Sequence, residues 1–125
     1  MIVIDGYRGK SRRLEEILKE KKASKENTII LDTVGIPSLV DFGQCYRVDN
    51  LLNIARFLFD YNYVDAPFGI EIDRESLKYI VLETNASRKM IDLYKSYEQS
   101  TGKELIVTIQ CPADEAINEI QVYEV

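Results

Sequence analysis

Met1–Glu20 reads MIVIDGYRGKSRRLEEILKE. A short apolar run, Met1 to Ile4, leads into Gly6-Tyr7-Arg8-Gly9-Lys10-Ser11, and an amphipathic helical pattern follows at once. Strand, glycine-bearing loop with Lys-Ser, then helix is an arrangement that grips a phosphate. Loop amides and the helix N-terminus point at the anion, and a lysine reaches over it. Gly6 and Gly9 admit backbone angles closed to other residues, while Lys10 and Ser11 stand where the helix dipole favours an anion. The same residues also fit a tight strand-to-helix turn in which Ser11 caps the helix and Lys10 is solvated.

Beyond this unit, apolar runs alternate with helical patterns. Asn27 to Leu31 (NTIIL) reads as a second strand, and Asp32 to Gly43 as a loop carrying Gly35, Pro37 and Gly43. Asp49 is a candidate N-cap for a helix over Asp49–Tyr61, with Leu51, Leu52, Ile54, Ala55, Leu58 and Phe59 at helical spacing. Asp65 to Gly69 breaks the pattern, and Ile70 to Asp73 is either a short strand or a connection. Lys78 to Glu83 (KYIVLE) reads as a buried strand. Ser87–Thr101 is expected to be a helix with Met90, Ile91, Tyr94 and Tyr97 on one face, ended by Gly102. Glu104 to Gln110 (ELIVTIQ) is the last strong strand, and the tail from Asp114 is either helical or strand-like. Unbroken apolar strands between helices imply a mainly parallel sheet. The expected architecture is therefore α/β: one domain, residues 1–125, in three layers with helices on both faces of the sheet. Ligands of such sheets bind beyond the carboxyl ends of the strands. That directs attention to Asp5–Lys10, Glu83-Thr84 and Gln110.

Composition narrows the chemistry. With 125 residues, 46% of them apolar and 30% charged, the chain has the make-up of an ordinary soluble domain. No apolar run is long enough to span a membrane, and the charges of the first segment do not suit a signal peptide, so a reducing cytoplasm is expected. The net charge of −5 argues against duplex-DNA binding through phosphate contacts, and the local run Lys19–Lys25 decorates a helix end. There is no histidine, which removes the Ser-His-Asp triad, the Cys-His dyad and imidazole metal ligands. Cys45 and Cys111 are too few for a thiolate-rich zinc site and read as buried small hydrophobes. Carboxylates, lysine, hydroxyls and a hard oxygen-bound ion remain.

The full Walker A pattern is G-x-x-x-x-G-K-[ST], and this chain has G-x-x-G-K-S, two residues shorter. A Walker A loop needs a carboxylate at the end of a nearby apolar strand to hold magnesium, and Tyr79-Ile80-Val81-Leu82-Glu83 has that form. A helix and a further apolar strand ending in Gln110 follow, with Pro112 close behind. In this order of parts the chain resembles the additional-strand division of P-loop NTPases, most nearly the DNA-translocase and zonula occludens toxin-like phage assembly ATPases. The resemblance implies a P-loop fold with Gly6, Gly9, Lys10 and Ser11 around the phosphates and Gln110 as the γ-phosphate sensor. It also implies Mg2+ held by Ser11 and Glu83, together with ATP or GTP.

Two departures count against catalysis. The loop is shortened, and Thr84 stands where these ATPases carry a glutamate to polarise water; threonine is no base near neutral pH. Arg47, Arg56 and Arg88 are the arginines open to a finger role, though each also reads as a surface residue. The expected function is weak nucleotide or phosphate binding with little or no hydrolysis and no catalytic residue assigned. One alternative is a non-catalytic module binding a protein partner or a second copy, supported by eight tyrosines. These include the Tyr61-Asn62-Tyr63 cluster, whereas Tyr94 and Tyr97 sit at core spacing. The other alternative is an active small ATPase or kinase.

Overall fold

The computed structural model describes residues 1–6, 8–33, 37–47, 75–110 and 120–125. The helix expected over 49–61, the segment 61–73, Arg56, Cys111 and Pro112 lie outside them, as does Tyr7 of the loop. In chain order the elements are β1 (Ile2–Gly6), α1 (Lys10–Glu20), β2 (Thr28–Asp32), a 3-10 turn (Pro37–Asp41), β3 (Gln44–Arg47) and β4 (Tyr79–Ala86). A second 3-10 turn (Arg88–Met90), α2 (Ile91–Thr101), β5 (Glu104–Gln110) and β6 (Gln121–Glu124) complete them. The six strands form one sheet in the order β3-β2-β4-β5-β1-β6. All neighbours are parallel except β6, which runs antiparallel to β1.

The α/β class and the mainly parallel sheet agree with the sequence reading, and all four strands expected from apolar runs are present. Alternation along each strand sorts the core into two faces. Ile2, Ile4, Ile30, Val81 and Ile106 pack with Leu14, Ile17 and Leu18 of α1. Val3, Ile29, Leu31, Leu82, Leu105 and Val107 pack on the other face with Tyr94 and Tyr97 of α2. Both tyrosines are buried, so they serve the core and present nothing to a partner.

The ends of the helices follow from local chemistry. α1 begins at Lys10 with Gly9 as its N-cap, at φ 86 in the left-handed region, and no side chain caps the first turn. This corrects the capping role considered for Ser11, which is the second residue of the helix. The α1 backbone stops at Glu20, with Lys22 at positive φ. α2 stops where expected, at Gly102 with φ 71, whose N–H donates to the Glu98 carbonyl at 2.9 Å. Its expected first turn is instead the 3-10 turn Arg88–Met90. Because Gly9 sits at positive φ, Gly9→Ala is expected to cost about 1–2 kcal/mol and Gly9→Asn less. Urea titration of the three proteins checks this; equal stability of wild type and Gly9→Ala contradicts it.

Among the described residues, no helix is long and apolar enough to cross a membrane. Cys45 is a free, exposed thiol on β3, contrary to the buried small hydrophobe expected there.

Candidate functional site at the carboxyl rim

Three strands of this sheet carry an acid directly after an apolar run: Asp5, one residue before the end of β1, Asp32, the last residue of β2, and Glu83, inside β4. All three acids are buried, as is Lys10. Burying a charge is expensive unless it is compensated, so each needs an account.

Period-two alternation settles which face each one takes. Glu83 lies two residues beyond Val81, and Asp32 two beyond Ile30, so both continue the α1 face. Asp32 and Glu83 are register partners across β2 and β4. Lys10, the first residue of α1, is only 6% exposed, and its ammonium donates to the Gly6 carbonyl at 2.7 Å. The solvated Lys10 considered above is thereby corrected: the loop folds its lysine inward. Gly6 pairs in register with Gln110, which is exposed at the end of β5. Gly6, Lys10, Gln110 and Glu83 therefore share one rim, with β5 between β1 and β4. Gly9 is exposed in the loop, and Ser11 is half-buried one residue into α1.

Glu83 is the group most changed by its surroundings. It is 2% exposed. Burial, and then the negative charge of Asp32, push its pKa from 4.5 up to about 7, while Lys10 and a hydrogen bond from Thr108 pull it down. Its Oε2 is buried with no hydrogen-bond partner. A buried carboxyl oxygen left bare is a place for a proton or a cation.

The other acid, Asp5, faces the α2 side. Arg88 donates to Asp5 Oδ2 from Nε at 3.1 Å and from its terminal Nη2 at 3.0 Å. Arg88 is thus tied to the opposite face from Lys10, which corrects its candidacy as a finger there. Arg47 is exposed on β3. Thr84 also turns away from Glu83, towards Tyr94, whose phenol is pushed above its usual range by burial.

The glycines permit a close approach on the α1 side. A Cβ on Gly6 would stand 2.5 Å from Ile120 Cδ1, and one on Gly9 3.8 Å from Ile120 Cγ1. Ile120, just before β6, packs under the loop.

Sequence reasoning missed Asp32. The signal is present, since Thr28-Ile29-Ile30-Leu31-Asp32 has the same apolar-then-acid form as Tyr79–Glu83, although Asp32 also reads as the start of the loop to Gly43. Among the described residues no group of three or more His, Cys, Asp or Glu side chains is placed to hold a metal ion. Comparison with family models, curated proteins and solved structures gives no match for this chain.

Proposed function

We propose that this chain is a P-loop-like protein that binds phosphate or a nucleotide weakly and turns over little or none of it. The observation that carries the reading is Lys10: a buried ammonium at the first residue of α1, bonded to the Gly6 carbonyl, on the rim that also bears Glu83 and Gln110. A lysine held inward at a helix N-terminus is a cation stored where an anion is favoured. A phosphate arriving there meets the unsatisfied amides of the first turn. Lys10 Nζ then exchanges the Gly6 carbonyl for a phosphate oxygen. Gln110, exposed one strand away, has an amide that reads the far side of the ligand.

The residues fit magnesium in part. Mg2+ is commonly held by one or two carboxylates together with phosphate and water, and the bare Oε2 of Glu83 meets that demand. Ser11, half-buried in the first turn of α1, would supply the hydroxyl. A bound magnesium would supply charge neutralisation to the phosphates. The low turnover follows from Thr84, which faces Tyr94 and gives no carboxylate to orient a water.

A thermal-shift series with magnesium and ATP, GTP, ADP or inorganic phosphate tests the reading. Ligand at a hundred times its dissociation constant stabilises by about 2.7 kcal/mol. The expected result is a shift with at least one of these, lost in Lys10→Ala. A parallel turnover assay is expected to stay at background for ATP and GTP. Magnesium-dependent hydrolysis abolished by both Lys10→Ala and Glu83→Gln would overturn the non-catalytic half of the proposal. No shift with any ligand would favour the second reading, a surface for a protein partner. One observation keeps that reading in play: β6 is an edge strand of the described sheet, with Val122 exposed on it and Val125 exposed just beyond.

A further inference from the structure

Gly6 closes β1, and Ile120, the residue before β6, lies against it. Among the described residues only Gly9 and Gly102 are glycines at positive φ, so the backbone of Gly6 is open to any residue. Space is what forbids a side chain there: a Cβ on Gly6 would stand 2.5 Å from Ile120 Cδ1 and 3.6 Å from Ile120 Cα. Glycine at position 6 is thus explained by a close apolar neighbour rather than by a need to curl around an anion. Ile120 also lies within ordinary contact of the Cβ position of Gly9 and packs against the α1-face core. One side chain therefore braces both glycines of the loop, and the carbonyl of the first of them accepts the Lys10 ammonium at 2.7 Å. The brace hangs on a lightly held strand. β6 has four residues, three of them exposed, and β1 is its one partner among the described strands. Segments with so few buried contacts open at lower free energy than the core.

We propose that Ile120 is an autoinhibitory contact: seated on Gly6 and Gly9, it holds the loop in the form that keeps the Lys10 ammonium on the Gly6 carbonyl, and opening of β6 releases that lysine to an anion. Ile120 acts through Gly6 and is a positioning residue. The contact adds regulation to the phosphate reading and rests on that reading for the anion alone, since the hold on Lys10 belongs to the protein without ligand. Phosphate needs Lys10 released and Ile120 keeps it in, so seating of Ile120 and binding of phosphate weaken each other by the same factor. The affinity of the wild type is lowered by the fraction of molecules whose loop is open.

Brief acylation of lysines with acetic anhydride, located by peptide mass spectrometry, reports the release of Lys10. In the wild type the buried Lys10 is expected to react at least about tenfold more slowly than exposed Lys25, because its modification waits for local opening. Ile120→Ala should raise the Lys10 rate at least about fivefold and leave that of Lys25 unchanged. Ile120→Leu, which refills the space, should restore the protection. Leu77→Ala makes a cavity in the α2-face core, at the end of β4 away from the loop; it should destabilise the fold without releasing Lys10. An unchanged Lys10 rate in Ile120→Ala overturns the proposal, as does equal release by Leu77→Ala. Should Ile120→Ala fail to fold by circular dichroism, Gly6→Ala decides, because its methyl displaces Ile120 Cδ1: release of Lys10 supports the brace and unchanged protection overturns it. Calorimetric titration with inorganic phosphate separates this proposal from the phosphate reading. Tighter binding by Ile120→Ala than by wild type is expected, and weaker binding overturns the opposition. Release of Lys10 with no phosphate bound by either protein supports the brace and removes the phosphate reading. Equal phosphate binding with Lys10 protected in both proteins removes the brace and keeps the reading.

Discussion

Between about pH 5 and about pH 8 the metal-free protein is expected to lose on the order of 3 kcal/mol of stability through Glu83 alone. The folded protein holds the Glu83 proton up to a pKa of about 7, whereas the unfolded chain releases it near 4.5. Between these values the native state binds more protons than the unfolded one, so stability falls as pH rises. The contribution is fully present below 4.5 and is lost as pH passes through about 7. Because the side chain is almost wholly buried, solvent screening does little to reduce the effect. Glu83→Gln keeps the shape without the charge and should flatten most of this slope, leaving the variant more stable than wild type near pH 8. Urea titrations of both proteins at several pH values, with chelator present, make the comparison. Parallel profiles would show that Glu83 ionises freely in the fold and that its burial has been misread.

Ile106→Ala is expected to destabilise by about 2–5 kcal/mol, the range for removing a large aliphatic side chain from a core that cannot close up. Ile106 is fully buried on the α1 face of β5, with Ile2 of β1 and Val81 of β4 as its register partners. Parallel strands flank it on both sides and α1 covers that face, so little can relax into the gap. Val122→Ala, on edge strand β6, should change stability by no more than about 0.5 kcal/mol. Denaturant midpoints for the two variants give the contrast, and similar losses at both sites would place Ile106 outside the cooperative core.

The parts of this fold that could be read from sequence were those that the hydrophobic effect writes plainly. β1, β2, β4 and β5 are apolar runs because both faces of the sheet around them are covered, and α1 and α2 show helical spacing because each buries one stripe. β3, Gln44-Cys45-Tyr46-Arg47, left no such trace: it lies at the edge of the described sheet, and no residue in it is fully buried. β6 has the same character, which is why the tail remained undecided between helix and strand. At the rim, the types of residue were legible and their environments were not. A lysine is normally solvated, and nothing in Gly9-Lys10-Ser11 announces that the ammonium turns back onto the Gly6 carbonyl. Which acids meet depends on strand order, which no local pattern contains: Asp32 joins Glu83, while Asp5 is turned to the opposite face.

The seating of β1 between β5 and β6 governs when the Gly6–Ser11 loop can be anchored. Ile2 pairs with Ile106 on one side and with Glu124 on the other, so β1 is completed by strands that are made well after it. A nascent chain halted before Glu104 has no described partner for β1. Lys10 and its glycines then wait on an unpaired apolar strand while α1 is already free to form. Closure over such a sequence separation is slow compared with local helix formation. Until β5 is made, β1 carries the Gly6–Ser11 loop without the parallel neighbour that seats it in the sheet.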